Sequence, residues 1–205
     1  MRLKSRGSIT VEGYERFEFR DLFGRRGEDD SDIGISTRLN YNHPMNNVVA
    51  PYLTQSVDKL REALGDKLIG VVLYGSYARN EAREESDVDL LVIARELPER
   101  RYDRSIFLHR MVRGIKDAPP FSLLGKTPEE FERYFPSLYL DIGLDGVVLF
   151  DRDEYTAKKM KRIKEIIKET GLVRERLKNG SMFWNWDREF RGAWEISWEG
   201  YRELA

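Results

Sequence analysis

The spacing of apolar and polar positions changes several times along the chain, and each change predicts an element. Leu53, Val57, Leu60 and Leu64 recur at helical spacing, with Pro51 opening the helix and Gly65 closing it. "KLIGVVLYGS" is then a short, mostly apolar run of the kind that forms a buried strand, and "SDVDLLVIA" is a second, with a short polar, helix-compatible segment between them. After Pro98 the spacing predicts a helix through "RYDRSIFLHRMVRGIK". Its apolar side is Phe107, Met111 and Ile115, Gly114 lies near its end, and His109 sits on the opposite face as a surface residue. "PPFSLLGK" predicts a third strand. "TPEEFERYF" begins a helix with Thr127 as cap, Pro128 at the first helical position and acids in the first turn, and "GVVLF" at 146–150 is a fourth strand. Residues 154–170 form a basic amphipathic helix with Met160, Ile163 and Ile167 inward and Gly171 as its stop.

The two ends read differently. Residues 1–48 form an N-terminal extension in which "SITVEGYERFEF" suits a strand pair around Gly13 and "GRRGEDDSD" an exposed loop. Residues 49–152 form the core. Residues 153–205 carry the basic helix and a tail, "SMFWNWDREFRGAWEISWEGYRELA", that holds all 4 tryptophans. Aromatics interleaved with arginine suit base stacking, but acids match the bases here, which favours an aromatic strap packed over the domain. The lysines of the basic helix likewise read as a solvated face before a phosphate-tracking patch.

Charge adds little direction: 35 Lys+Arg against 36 Asp+Glu leave a net charge of -1, so no global field favours nucleic acid or a membrane, and any basic surface is local. The chain has no cysteine, which excludes disulfides, thiolate metal sites and a cysteine nucleophile. It has only 2 histidines, so carboxylates are the expected ligands of any metal. No apolar run resembles a signal peptide or a membrane span, and the expected location is cytoplasmic.

The chemistry concentrates in "VVLYGSYARNEAREESDVDLLVIA", residues 71–94. Strand alternation projects Asp87 and Asp89 to one face, about 7 Å apart, while Val88, Leu90 and Val92 take the other. Two carboxylates that close repel each other and resist burial unless a divalent cation lies between them, and Mg²⁺, hard and oxygen-seeking, suits the pair. Gly75 ends a buried strand, Ser76 caps the segment after it, and the N–H groups of a helix start form a seat for phosphate oxygens, with Arg79 one turn on. Asn80 stands where the chain leaves the short helix, in a position that tolerates a left-handed turn. Each piece alone is ordinary, since Gly-Ser is a common turn and Ser86-Asp87 a common strand start; together they are specific.

"LYGSYARNEAREESDVDLLV" resembles the signature of the polymerase β-type nucleotidyltransferases, whose minimal members carry Gly-Ser, ten residues, then Asp-x-Asp; Gly75, Ser76, Asp87 and Asp89 match that spacing. The order of elements from about 50 to 150 is also similar to the minimal core, whereas residues 1–48 and the tail lie outside the resemblance, and Asn80 replaces a usual glycine. The resemblance implies an α/β, polymerase β palm-like fold: a small mixed, twisted sheet with helices packed on one face. It implies Asp87 and Asp89 as catalytic Mg²⁺ (or Mn²⁺) ligands and the Gly75-Ser76 turn as the holder of the triphosphate; Arg79 and Ser86 beside them are expected to bind the nucleotide as well. It further implies transfer of a nucleoside monophosphate, AMP from ATP, to a hydroxyl. The family's third carboxylate aligns with Ser122, and Asp117 lies five residues too early. The acceptor class implied is a HEPN-domain protein of a toxin–antitoxin pair. The alternative is a catalytically weak or inactive nucleotide-binding module that engages a protein or RNA through the aromatic tail, and a transferase acting on RNA ends or a small molecule ranks last.

Overall fold

The structure, a computed structural model, describes residues 15–16, 44–178, 180–187 and 193–204. The chain falls into two compact units, one spanning Thr37–Lys164 and the other combining Met1–Ser36 with Glu165–Ala205.

The first unit is built on a mixed four-stranded sheet. Its strands are β2 (Leu68–Tyr74), β3 (Val88–Ala94), β4 (Phe121–Lys126) and β5 (Val147–Asp151), in the order β4-β3-β2-β5. β2 runs antiparallel to both β3 and β5, and β3 runs parallel to β4, so the α/β class expected from the sequence is the one found. Helix α1 (Pro44–Leu64) and helix α3 (Arg101–Met111) cover one face. There Leu53, Leu60 and Leu64 meet Val71 and Leu73 of β2 and Val88, Leu90 and Val92 of β3 in one buried cluster with Leu108. The strands read as unbroken apolar runs because the other face is covered as well: Ile69, Val72, Leu91 and Ile93 are buried too. Helices α4 (Pro128–Arg133) and α5 (Leu138–Asp145) lie on that side, α4 against β3 and β4, α5 against β2. The expected single helical layer is therefore joined by a second one.

Several elements differ in detail from the sequence expectation. Helix α1 begins at Pro44 and carries Pro51 inside it. A proline at the first helical position loses no bond, and both prolines competed for that role. In α3 the inward line is Arg104, Leu108 and, just past the end, Val112, one residue over from the expected one; Phe107, Met111 and Ile115 are only partly buried. The cause is Arg104, a charge that apolar patterning excludes from a core. Its guanidinium is satisfied by the Pro98 and Gly125 carbonyls at 2.7 and 3.2 Å and by both carboxylate oxygens of Glu130. Helix α5 had no sequence signal, since Leu138, Tyr139, Leu140, Ile142 and Leu144 spread apolar character around its axis. Tyr139 packs on Phe131 with ring centroids 4.5 Å apart.

Other expectations hold. Thr127 and Glu130 form a reciprocal capping box with Pro128 at the first position of α4. His109 is exposed. Helix α6 (Tyr155–Thr170) buries Met160, Ile163 and Ile167, and Gly171 after it has φ +68°.

In the second unit the tail is strands. β6 (Leu172–Arg176) pairs with β7 (Met182–Trp186) and with β1 (Glu15–Arg16), while β8 (Ala193–Ser197) and β9 (Gly200–Leu204) form a hairpin. Trp186 meets Trp194 and Tyr201 edge-on at 5.1 and 5.3 Å, so these aromatics pack on one another across the tail's own strands. The remainder of the strand pair expected around Gly13 and the loop at 24–32 lie outside the described residues. Among the described residues no helix is long and apolar enough to cross a membrane.

Candidate active site

The site grows out of one row of the sheet. Tyr74, the last residue of β2, faces Asp89 on β3, and Asp89 faces Ser122 on β4. Directly opposed residues project to the same side, so a phenol, a carboxylate and a hydroxyl stand side by side across three strands. The Ser122 hydroxyl lies close enough to both side chains to favour their charged forms. Burial raises the Asp89 carboxyl above its ordinary range; the Ser122 hydroxyl opposes that shift, the Asp87 charge adds to it, and the Arg79 charge opposes it. The Tyr74 phenol is pushed up to about 12, first by burial and then by the Asp89 charge.

Gly75 follows Tyr74 with φ +73°, a conformation that side chains other than glycine's rarely adopt. A Cβ built there would lie 2.2 Å from Asp89 Oδ2 and 3.0 Å from its Cγ. The bare α-carbon thus lets the carboxylate rest directly on the turn. Helix α2 (Gly75–Ala78) is a single turn from which the chain is released at Asn80, with φ +59° as the residue type allows. Glu81 N donates to Ser76 O at 2.9 Å. Arg79, at the end of α2, places Nε 2.8 Å from Glu81 Oε2 and Nη1 3.6 Å from Asp145 Oδ2, at the end of α5.

Asp87 lies just before β3 and is exposed. Its charge acts on Asp89 and on the buried Tyr77, whose phenol is raised by burial first and by Asp87 second. Both carboxylates therefore share one neighbourhood. Ser86 accepts from Arg83 N at 2.8 Å and so holds the loop that delivers Asp87. Val88 N donates to Pro120 O at 2.8 Å, which fixes where β3 starts beside β4.

The donor set suits a hard divalent cation: two carboxylates, one exposed and one seated on a backbone turn that a side chain would block, with phosphate oxygens left to complete the shell. The third position is occupied by Ser122, and Asp117, at φ +52°, precedes β4 altogether. Among the described residues no group of three or more His, Cys, Asp and Glu is placed to hold a metal. The sequence pattern singled out Gly75, Ser76, Arg79, Ser86, Asp87 and Asp89, and Ser122 as standing where a third carboxylate was expected. It missed Tyr74, which antiparallel pairing of the two motif strands would have set opposite Asp89, and Asp145, which nothing local distinguishes.

A Methanocaldococcus jannaschii protein, provisionally named a protein adenylyltransferase, is 37% identical to this chain over 130 residues, covering 60% of it and 84% of that relative. The protein adenylyltransferase MntA of Thermococcus cleftensis is 52% identical over 46 residues, 22% of this chain and 44% of its own length. A chain of a toxin–antitoxin crystal structure with AMP-PNP shares 17% identity over 57% of this chain and 86% of that one, with a TM-score of 0.41, a likeness too loose to carry a conclusion. The nucleotidyltransferase domain family matches residues 57–178, well over half of the sequence and the whole of the Gly-Ser to Asp-x-Asp site, and the chain belongs to that family.

Proposed function

We propose that this protein transfers AMP from ATP to a hydroxyl group of another protein. The observation that carries the proposal is the seat of Asp89 on the Gly75 turn, with Asp87 and Arg79 near enough to act on it electrostatically. The names of the two archaeal relatives support a protein as acceptor.

In this assignment the Gly75-Ser76 turn and Arg79 receive the triphosphate, Ser86 keeps the Asp87 loop in place, and Asp87 and Asp89 hold Mg²⁺ or Mn²⁺. The cation, when bound, neutralises phosphate charge and aligns the leaving group. The bond from the acceptor oxygen to the α-phosphorus forms as the bond to pyrophosphate breaks, and the hydroxyl proton passes to water. Phosphoryl chemistry of this kind asks for alignment and charge neutralisation rather than a covalent catalyst, which the two aspartates and the turn supply. A HEPN-domain protein is the acceptor to test first.

The experiment is incubation with α-labelled ATP, Mg²⁺ and such a protein. Label on the acceptor with release of pyrophosphate is expected. If nucleotide binds but neither product appears, the second reading stands, a binding module that has lost transfer; Ser122 in the third position is the observation that favours it.

A further inference from the structure

We propose that the site takes a single divalent cation together with its nucleotide, and that Ser122 sets this number by placing a hydroxyl beside Asp89 where a further carboxylate would be needed to hold a second. The inference deepens the transfer function proposed above and rests on it.

Ser122 lies in register with Asp89 on the adjacent parallel strand, and β4 cannot slip: its start is tied by Val88 N to Pro120 O at 2.8 Å and its end by the buried Arg104 bonded to Gly125 O. An ionised carboxylate only accepts hydrogen bonds, so a hydroxyl in register beside Asp89 meets it as a donor, competing with a metal for one of its roughly four lone-pair sites, and adds no negative charge of its own. Oδ2 rests against the Gly75 turn, in the space a Cβ would otherwise fill. Asp89 is thereby held on two sides and presents a restricted set of lone pairs to any metal.

Two cations in one phosphoryl-transfer site lie about 3.5–4 Å apart and need carboxylates that bridge them as well as ligands that terminate each. Here the anionic groups at hand are Asp87 and Asp89, and no third member joins them among the described residues. Asp145 and Glu81 are both engaged with Arg79, whose guanidinium lies close enough to act on Asp89. A second cation would find a hydroxyl in place of a carboxylate beside Asp89, and the Arg79 charge that acts on Asp89 adds repulsion. Ser122 therefore acts through Asp89, as a positioning residue.

The test is the Mn²⁺ content of the full chain after ultrafiltration with one equivalent of an ATP analogue carrying a methylene between the α- and β-phosphates. Saturation at one Mn²⁺ per chain is expected for the wild type and for Ser122→Ala, and at two for Ser122→Asp. Two in the wild type overturns this inference while leaving the nucleotide site intact. A folded Ser122→Asp that still retains one overturns the role given to Ser122. No Mn²⁺ retained with the nucleotide overturns the transfer proposal and this one with it. If Ser122→Asp does not fold, the wild-type and Ser122→Ala counts decide between one and two on their own.

Discussion

Two neighbouring rows on the same face of the central sheet differ by one step of the strand period and have opposite fates. Val72, Leu91 and Leu124 align across β2, β3 and β4, and Val72 and Leu91 are fully buried. Two residues along, Tyr74, Asp89 and Ser122 align in the same manner where β2 ends and β3 begins. The first row contributes to stability by removing apolar surface from water. The second brings a partly buried carboxylate against a bare glycine, an arrangement that burial alone disfavours. What folding needs and what the site needs are thus separated within about 7 Å of one strand.

The sharpest break of that comparison is Asp89→Asn. Loss of one metal-binding charge should slow AMP transfer by about a thousandfold, equivalent to roughly 4 kcal/mol of barrier. Because burial raises the Asp89 carboxyl, the charge is disfavoured in the fold, and the metal-free variant should melt no lower than the wild type in a thermal scan. Leu91→Ala should do the reverse. It should cost about 3 kcal/mol of stability in a urea titration through the cavity it leaves, while the folded fraction keeps its turnover. Gly75→Ala joins the two effects, since φ +73° and a Cβ 2.2 Å from Asp89 Oδ2 strain the turn and displace the carboxylate. A loss of about 1–2 kcal/mol of stability together with a fall in activity is expected, whereas a fully active, fully stable variant would contradict the seat described for Asp89.

The smallest effect is a pH dependence in the support of β4. The Arg104 hydrogen bond holds the Glu130 carboxyl below its ordinary value, against an opposing contribution from burial. A depressed folded-state value stabilises the protein above the unfolded value of about 4.3, and the contribution fades as pH falls through the folded one. The melting difference between wild type and Glu130→Gln should accordingly be full at neutral pH and narrow on acidification; a constant gap would show that packing, not the ion pair, is responsible.

Much of this was legible in the chain because it depends on near neighbours. The Gly75-Ser76 turn, the αL position of Asn80, the alternation around Asp89 and the capping box of Thr127 and Glu130 each involve residues close in sequence. Helix α5 was hidden because a helix that packs on more than one side carries no single apolar stripe. The strands of the tail were hidden for a related reason: in "MFWNW" intermediate and exposed positions alternate, but aromatics on both sides of the strand mask the period.

The sequence by itself determined how the Gly75-Ser76 turn and the Asp87 and Asp89 carboxylates are spaced along the chain, since backbone geometry converts those spacings into a turn and a strand without reference to anything distant. Only the tertiary structure decided that Ser122 lies against Asp89, that Asp145 reaches Arg79 and that a buried Arg104 anchors β4. These contacts depend on which strands pair and in what register, and register is a property of the assembled sheet rather than of any single segment.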